Sequence, residues 1–476
     1  MKPAHLVIPA LERARMRAAA PAAHYRLPVA IGLPRTLARA WLLLGLAAIA
    51  LSGVFSILLV MARTPYLQGL FPVADFFRVA LVVHVDLSVL VWFVAFAGVF
   101  WSLASGTRAP ALGRAALALC IGGTAALCLS PFVERAQPIM ANYVPVLDGP
   151  VFLTGLVAIA GGVALAIVRA VIGAGAHAPS LEGTSALRLG LVAAALAMAV
   201  ALFAFLWSWL AIPGGTDPRT YYEVLFWGGG HVLQFTWTVM MLVAWLWLAD
   251  AIGASLPIGP RVVLVLFALS LVLVLVTPLV YLAWDVTSVE HRRMLTWMMR
   301  VGGGMAIPPL ALALIIALRR TGGLDPQRRP LRAALVMSLV LFGVGGLIGF
   351  AISGANVKIP AHYHGCIVGI TLAFMGVTYD LLPRLGYGTP NTRLALWQPY
   401  VYGVGQLMHI AGLVWSGGYG VQRKVGGAEQ VLDRFEQVAG MGLMGLGGAI
   451  AIAGGVLFVL VVAGSVLRAH TGMRAR

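Results

Sequence analysis

The chain has 476 residues, of which 61% are hydrophobic and only 10% are charged, and its mean hydropathy is +0.93. Because soluble domains carry about 25% charged residues, this composition excludes a water-soluble enzyme and predicts a protein that crosses a membrane several times. The formal net charge is +17. Most basic residues stand in short loops between apolar segments, so we attribute the excess to membrane topology and expect no nucleic-acid partner.

Residues 1–35 hold several basic residues and lack the apolar core that a signal peptide needs. We predict that they form a basic cytoplasmic arm. The basic residues are Lys2, Arg13, Arg15, Arg17, Arg26 and Arg35.

The apolar stretches that follow are each long enough to cross roughly 30 Å of hydrocarbon, which takes about 20 helical residues. Only helices or closed barrels satisfy the backbone in lipid, and these runs are too long for barrel strands. We therefore predict an all-α polytopic membrane protein with about twelve transmembrane helices, a catalytic membrane domain over 36–470 and a cytoplasmic tail over 471–476. The helices are placed near 39–62, 75–103, 113–133, 149–174, 185–211, 222–252, 260–285, 296–318, 333–354, 358–382, 394–417 and 438–467.

Loop charges predict the orientation of these helices. The loops after the eighth and tenth helices are rich in arginine, so the positive-inside rule places both termini in the cytoplasm. Five basic residues then fall on the outer side, where the rule disfavours them, and we expect them to have a local anion or a structural reason. They are Arg292, Arg293, Arg300, Arg423 and Lys424.

Five of the ten histidines stand in apolar helices, where an ionisable residue is a functional candidate by default. Four of them, on the second, sixth and tenth helices, share the outer half of the membrane, and a shared depth favours metal or haem ligation over packing. For the fifth, His409, we favour packing with a hydrogen bond. The other four are His84, His231, His362 and His364.

The segment His362-Tyr363-His364 lets one helix serve two cofactors, because residues two apart on a helix point about 200° apart. If His364 meets His84 across one haem, that iron is six-coordinate and suited to electron transfer. His362 would then be the sole protein ligand of a second haem, whose open face binds a small gas.

Three segments resemble the catalytic subunit I of the haem–copper oxidase superfamily, including its nitric oxide reductase branch. They are "LVVHVDLSVLVWF" around His84, "YEVLFWGGGHVLQF" around His231, and "PAHYHGCIVGITLAFMGVTYDLLPRLG" from Pro360. The last is similar to the tenth helix of the nitric oxide reductase and cbb-type branches. The resemblance extends over essentially all twelve helices and implies a subunit I-like bundle in a bacterial cytoplasmic membrane.

The resemblance also implies the cofactors. A low-spin haem would lie between His84 and His364, a high-spin haem on His362, and a second metal partly on His231, with both haems of b type. The haem propionates would be held by Arg423 and Lys424, since basic side chains bind carboxylates by charge-assisted hydrogen bonds. Electrons would come from a donor subunit, a cytochrome c or a cupredoxin-type protein on the outer face.

One departure from the family concerns the second metal. Family members supply two more copper ligands as a His-His pair on the seventh helix, and counting back from Pro308 places Trp284-Asp285 there. Asp285 would be a ligand, or else a helix cap or a solvated group. The alternative pair is Glu290-His291, which aligns less well. Oxygen ligands suit iron better than copper(I), and the choice of metal stays open.

A second departure concerns the reaction. Oxygen-reducing members use a tyrosine cross-linked to a copper-ligating histidine, and the commonest position for it is Phe235 here. Tyr281 is the other candidate, and for it we favour an interfacial tyrosine over a site role. Without a clear tyrosine, we predict reduction of nitric oxide to nitrous oxide, with a terminal oxygen reductase as the alternative. A haem-binding sensor or transporter without catalysis is the alternative from another class.

The sequence offers few side chains that could carry protons from the inner side of the membrane. The inner half of the eighth helix, "IPPLALALIIAL", offers no side chain that relays a proton. Asp250 and Asp380, near the inner ends of the sixth and tenth helices, fit equally well as caps or snorkelling groups. We therefore expect protons to come from the outer side, without pumping.

Overall fold

The computed structural model describes residues 23–70, 74–175 and 180–474. It is a bundle of long helices with one short hairpin, which confirms the all-α polytopic fold. The helices are α1 (Leu33–Arg63), α2 (Asp75–Ser105), α3 (Pro110–Val133), α4 (Pro150–Ala174), α5 (Gly183–Ala211), α6 (Pro218–Ala251), α7 (Pro260–Ala283), α8 (Val289–Arg320), α9 (Arg329–Phe350), α10 (Lys358–Arg384), α11 (Thr392–Gly418) and α12 (Phe435–Arg474). The strands β1 (Gln137–Ile139) and β2 (Val146–Asp148) pair antiparallel between α3 and α4.

Within these described ranges, eleven helices are long and apolar enough to cross a membrane. The remaining one, α11, is of similar length but less apolar. Two helices reach into the predicted terminal segments: α1 begins at Leu33, and α12 extends to Arg474. The first four residues of α1 include Pro34, which favours the first turn of a helix because its missing N–H is not needed there.

Two helices that were predicted as continuous are broken. In α7, a 3₁₀ turn at Val274–Val276 precedes the last segment, which begins at Thr277 and carries Pro278. In α8, the α-helix pauses between Gly302 and Ile307. Proline lacks a backbone N–H and glycine is conformationally permissive, so both interruptions follow from local sequence.

The core lies around α6 and α10, whose most apolar windows are 89% and 83% buried. Both helices run in the same direction, as does α2. We call the end where these three helices begin the upper end, and the end where they finish the lower end. Residues 23–32 lie at the lower end, where Arg26 pairs with Asp250 and Arg384 pairs with Asp380 at 3.0 Å. The two carboxylates that were predicted as caps or snorkelling groups are therefore ion-paired.

Between α9 and α10, two glycines allow a close approach. A Cβ atom on Gly345 would lie 2.6 Å from the backbone nitrogen of Cys366, and one on Gly365 would lie 2.5 Å from the Cα of Gly345. No real Cβ atom tolerates such contacts, so this crossing requires glycine. The consequence is that the start of α10, with its two histidines, is held directly against α9.

Candidate functional site

His84 is oriented by α1. Its Nδ1 lies 3.0 Å from the backbone carbonyl of Ser52, and the Ser52 hydroxyl is 2.9 Å from the same nitrogen. A carbonyl only accepts hydrogen bonds, so Nδ1 carries the proton. Nε2 is left as the lone-pair nitrogen, and it makes no hydrogen bond to any residue that the structure describes. A metal-ligating histidine is held in this way.

His362 is oriented in the same manner by α9. Its Nδ1 lies 2.7 Å from the carbonyl oxygen of Gly345. This short bond is possible because Gly345 sits at the close crossing of α9 and α10. Nε2 of His362 is again free of hydrogen bonds within the described part of the chain, as an axial haem ligand needs.

His364 points to the other side of α10, toward α11. Its ring centroid lies 5.0 Å from that of His409, and it is within electrostatic range of His84. His409 itself donates Nδ1–H to the carbonyl of Met444 at 3.0 Å, which agrees with packing plus a hydrogen bond. The two histidines of the His-Tyr-His segment therefore serve different environments, and the donor set on each side fits a haem iron.

A cavity of about 240 Å³ opens at the upper end among basic side chains. Four cations line it against one carboxylate, Glu223. Burial, and then the neighbouring Arg423, lower the pKa of Lys424 to about 8. A cluster with so much uncompensated positive charge fits an anionic group such as a propionate. The cations are Arg219, Arg292, Arg423 and Lys424.

His231 is buried near the upper half of α6 and is in contact with a loop residue. Its Nδ1 lies 2.7 Å from the carbonyl of Trp227, and its Nε2 lies 3.0 Å from the hydroxyl of Tyr143. Tyr143 stands between β1 and β2 with a φ of 70°, a conformation that side-chain-bearing residues rarely adopt. Burial, and then the charge of Glu223, raise the pKa of Tyr143, so the phenol keeps its proton.

His291 and Tyr281 form a second buried pair beside this histidine. Their rings meet edge to face with centroids 4.6 Å apart, and the Tyr281 hydroxyl is 2.9 Å from that of Ser208. Tyr281 is 4% exposed, so the interfacial interpretation is wrong for it. Both ring nitrogens of His291 are buried and lack a partner among the described residues.

Asp285 and Glu290 are not brought into this cluster. Both side chains are exposed, and the Asp285 carboxylate accepts hydrogen bonds from the Thr287 N–H at 2.8 Å and the Thr287 hydroxyl at 2.5 Å. Those hydrogen bonds, from the hydroxyl first, lower the pKa of Asp285. Asp285 is therefore an exposed residue of the turn before α8, and the N-cap of that helix is Ser288, whose hydroxyl accepts from the His291 N–H.

The donor set does not fit the second metal that the resemblance implies. In the part of the chain that the structure describes, no group of three His, Cys, Asp or Glu side chains is placed to hold a metal ion. His231 and His291 are the two imidazoles available, and one of them already bonds a phenol. The residues fit two haems, but not a copper ion with three histidine ligands.

Sequence reasoning missed three residues of the site. Tyr143 lies in a loop without a recognisable motif. Asp86 is 1% exposed in a π-helical part of α2, and neither carboxylate oxygen has a partner in the described chain. Arg63, at the end of α1, lies within electrostatic range of His364. An ionisable residue in an apolar helix was a usable signal for Asp86.

Known proteins resemble this chain in sequence and in fold. A profile of the family described as "Cytochrome C and Quinol oxidase polypeptide I" matches residues 36–451. An uncharacterized protein of Rickettsia prowazekii (strain Madrid E) is 27% identical over 495 residues, which cover 90% of this chain and 95% of that protein. An uncharacterized protein of Aquifex aeolicus (strain VF5) is 31% identical over 357 residues, covering 73% and 85% respectively.

Among solved structures, a heme-copper terminal oxidase dimer studied by cryo-EM has a similar fold. Its TM-score is 0.68 at 15% identity, and the match covers 92% of this chain and 85% of that one. At this identity the likeness concerns the fold alone.

Proposed function

Because the chain belongs to the cytochrome c and quinol oxidase polypeptide I family of the haem–copper oxidase superfamily, we propose that it is a two-haem membrane reductase that converts nitric oxide to nitrous oxide. In this proposal His84 and His364 hold the low-spin haem and His362 holds the high-spin haem. The free Nε2 of His362, with Nδ1 fixed by the Gly345 carbonyl, is the observation that carries it.

The chain's own residues prepare the gas site. His362 would hold the high-spin haem, which when bound would supply an iron able to bind a small gas. The hydrogen bond from Nδ1 to the Gly345 carbonyl fixes the ring plane of His362. It also makes Nε2 a stronger electron-pair donor to iron. The basic cluster at the upper end neutralises the propionates, and Arg suits this task because its planar fork pairs with a carboxylate.

The depth of His231 supports its place at the same site. At the lower end, Trp247 of α6 donates to Asp380 of α10 at 2.9 Å. At 1.5 Å per residue, His231 lies about 24 Å and His362 about 27 Å above that contact. The two histidines thus stand at matching depths on neighbouring parallel helices.

Nitric oxide is favoured as the substrate because of the electron count. Two NO molecules, two electrons and two protons give one N₂O and one water, whereas O₂ needs four electrons. In oxygen-reducing relatives a tyrosine provides one of these, and its usual position is occupied here by the buried Phe235.

Oxygen reduction is the second candidate, and Tyr143 favours it. The phenol of Tyr143 lies 3.0 Å from Nε2 of His231, so a tyrosine does contact this histidine, although it comes from another part of the chain.

The proton route supports neither substrate over the other. Asp250 and Asp380 are ion-paired at the lower end, so we keep the proposal of proton uptake, and of electron delivery by a separate donor protein, from the upper end.

Gas turnover tests the proposal. We expect purified, haem-loaded protein to form N₂O when nitric oxide and an artificial electron donor are supplied without oxygen, as measured by gas chromatography. His362→Ala should abolish this activity. Rapid O₂ consumption without N₂O would support the oxygen reductase instead. A haem spectrum with no turnover of either gas would contradict both and support a sensor or transporter.

A further inference from the structure

His231 has one protonation pattern that satisfies its hydrogen bonds. Its Nδ1 faces the Trp227 carbonyl at 2.7 Å, and a carbonyl only accepts, so the proton of the neutral ring is on Nδ1. Nε2 therefore carries the lone pair. The Tyr143 hydroxyl, 3.0 Å away, donates its hydrogen to that lone pair.

A metal ion on Nε2 would need the same lone pair. The hydrogen bond from Tyr143 and a metal–nitrogen bond at this atom therefore exclude each other. The remaining ligands do not compensate, since Asp285 and Glu290 are exposed and His291 alone is left. Copper and zinc sites of proteins commonly use three or four protein ligands, which this cluster does not supply.

The position of Tyr143 is built into the fold. Its ring lies on Gly230, where a Cβ atom would come within 2.2 Å of the ring. Its neighbour Asn142 is clamped on two sides: the Asn142 N–H donates to Glu223 at 3.0 Å, and the Lys424 ammonium donates to the Asn142 side-chain oxygen at 3.2 Å. A left-handed φ at a tyrosine is strained, so these contacts hold the phenol in place against that strain.

We propose that a Tyr143–His231 pair stands where relatives hold the second metal, and that Tyr143 is the positioning residue that fixes His231 at the gas site. The pair keeps Nε2 of His231 occupied and presents an oriented phenol and imidazole beside the high-spin haem. This inference rests on the proposed function, because it needs His362 to hold that haem.

Metal content tests whether the Tyr143–His231 pair replaces the second metal. We expect wild-type protein to contain haem iron but only substoichiometric copper, zinc or non-haem iron, as measured by mass spectrometry of the metals against the haem absorbance. His231→Ala should leave this ratio unchanged. A stoichiometric second metal that His231→Ala removes would overturn the inference.

Infrared spectroscopy tests whether Tyr143 positions His231, with carbon monoxide as the probe on the reduced haem. Tyr143→Phe keeps the ring on Gly230 but removes the hydroxyl, so we expect the C–O band to shift by more than its linewidth, as in His231→Ala. Tyr222→Phe is the matched control, because it also removes one hydroxyl hydrogen bond, to Asp148 at 2.6 Å, and should leave the band in place. An unchanged band in Tyr143→Phe would overturn the positioning role.

The two proposals fail in different ways. A preparation with no CO-binding haem would contradict the proposed function and this inference together. CO-binding haem together with a stoichiometric second metal would contradict the inference and leave the proposed function standing.

Discussion

Two of the three proposed haem ligands, His84 and His362, are oriented by backbone carbonyls. Ser52 on α1 fixes His84, and Gly345 on α9 fixes His362. A neutral imidazole with its Nδ1–H committed is a better ligand through Nε2, because the tautomer and the ring plane are already set. The fold therefore fixes the orientation of both rings before any haem binds.

Removing these histidines one at a time should separate the two haems. We expect His84→Ala to lose the low-spin haem and keep CO binding, and His362→Ala to lose CO binding and keep the low-spin haem. The measurement is the reduced spectrum with and without CO, together with the haem content per protein. His409→Ala is the matched control, since His409 is also buried but is assigned no iron, and it should keep both haems. Loss of neither haem in the two ligand variants would contradict the assignment.

Single residues also mark the limit of sequence reasoning. His84, His231, His362 and His364 could be singled out as candidates because ionisable residues at membrane depth are rare. Tyr143 was not, since its contact with His231 depends on a loop conformation that the whole bundle imposes. Asp285 was misleading for a similar reason: its number along the chain matches a ligand position, but α7 ends at Ala283 and Asp285 is exposed in the turn that follows.

At the level of helices, hydropathy predicted nearly every membrane segment. Hydropathy did not predict the interruptions of α7 and α8, because these depend on Pro278 and on the glycines at 302–304 rather than on apolar content. It was also blind to the way helix ends are joined. The joint between α3 and α4 is an example, since Glu134 at the end of α3 accepts hydrogen bonds from the first turn of α4.

Glu134→Ala should destabilise this joint. The carboxylate accepts from the Ser130 hydroxyl at 2.5 Å and from the N–H groups of Val151 and Phe152 at 2.9 and 3.0 Å. Loss of a cap costs about 1 kcal/mol, so the unfolding temperature at neutral pH should fall. Glu182→Ala is the control, because Glu182 precedes α5 without capping it through its side chain.

The difference in melting temperature between wild type and Glu134→Ala should become smaller as the pH falls. Burial raises the pKa of Glu134, but the hydrogen bonds from Ser130, Val151 and Phe152 outweigh it, and the pKa is lowered. The carboxylate therefore contributes its stability above the unfolded pKa of about 4.3 and loses it as the pH falls through the lower folded value. Melting temperatures of wild type and Glu134→Ala should converge there, and a constant difference would contradict this account.

The two ends of the whole molecule treat their basic residues differently. At the lower end, Arg26 and Arg384 are paired with carboxylates. At the upper end, Arg423 and Lys424 line a cavity with few acids to balance them. We infer that the net charge of +17 has two origins. In this interpretation the arginines of the lower end would set the topology, whereas the basic residues of the upper cavity would bind the propionates of the proposed haems.

Cysteine labelling in intact cells should reveal the orientation that this requires. The positive-inside rule assigns the cytoplasm to the lower end, where Arg319 and Arg320 end α8 and Arg328 lies in the α8–α9 loop. A cysteine at the exposed Asp433, in the upper loop before α12, should react with a membrane-impermeant maleimide from outside. A cysteine at the exposed Gln327, in the lower loop, should react only after the membrane is opened. The parent chain gives the background of its own three cysteines, Cys120, Cys128 and Cys366. The reverse pattern would place the basic cavity in the cytoplasm, and an outer-side electron donor would then be unable to reach the haem edge.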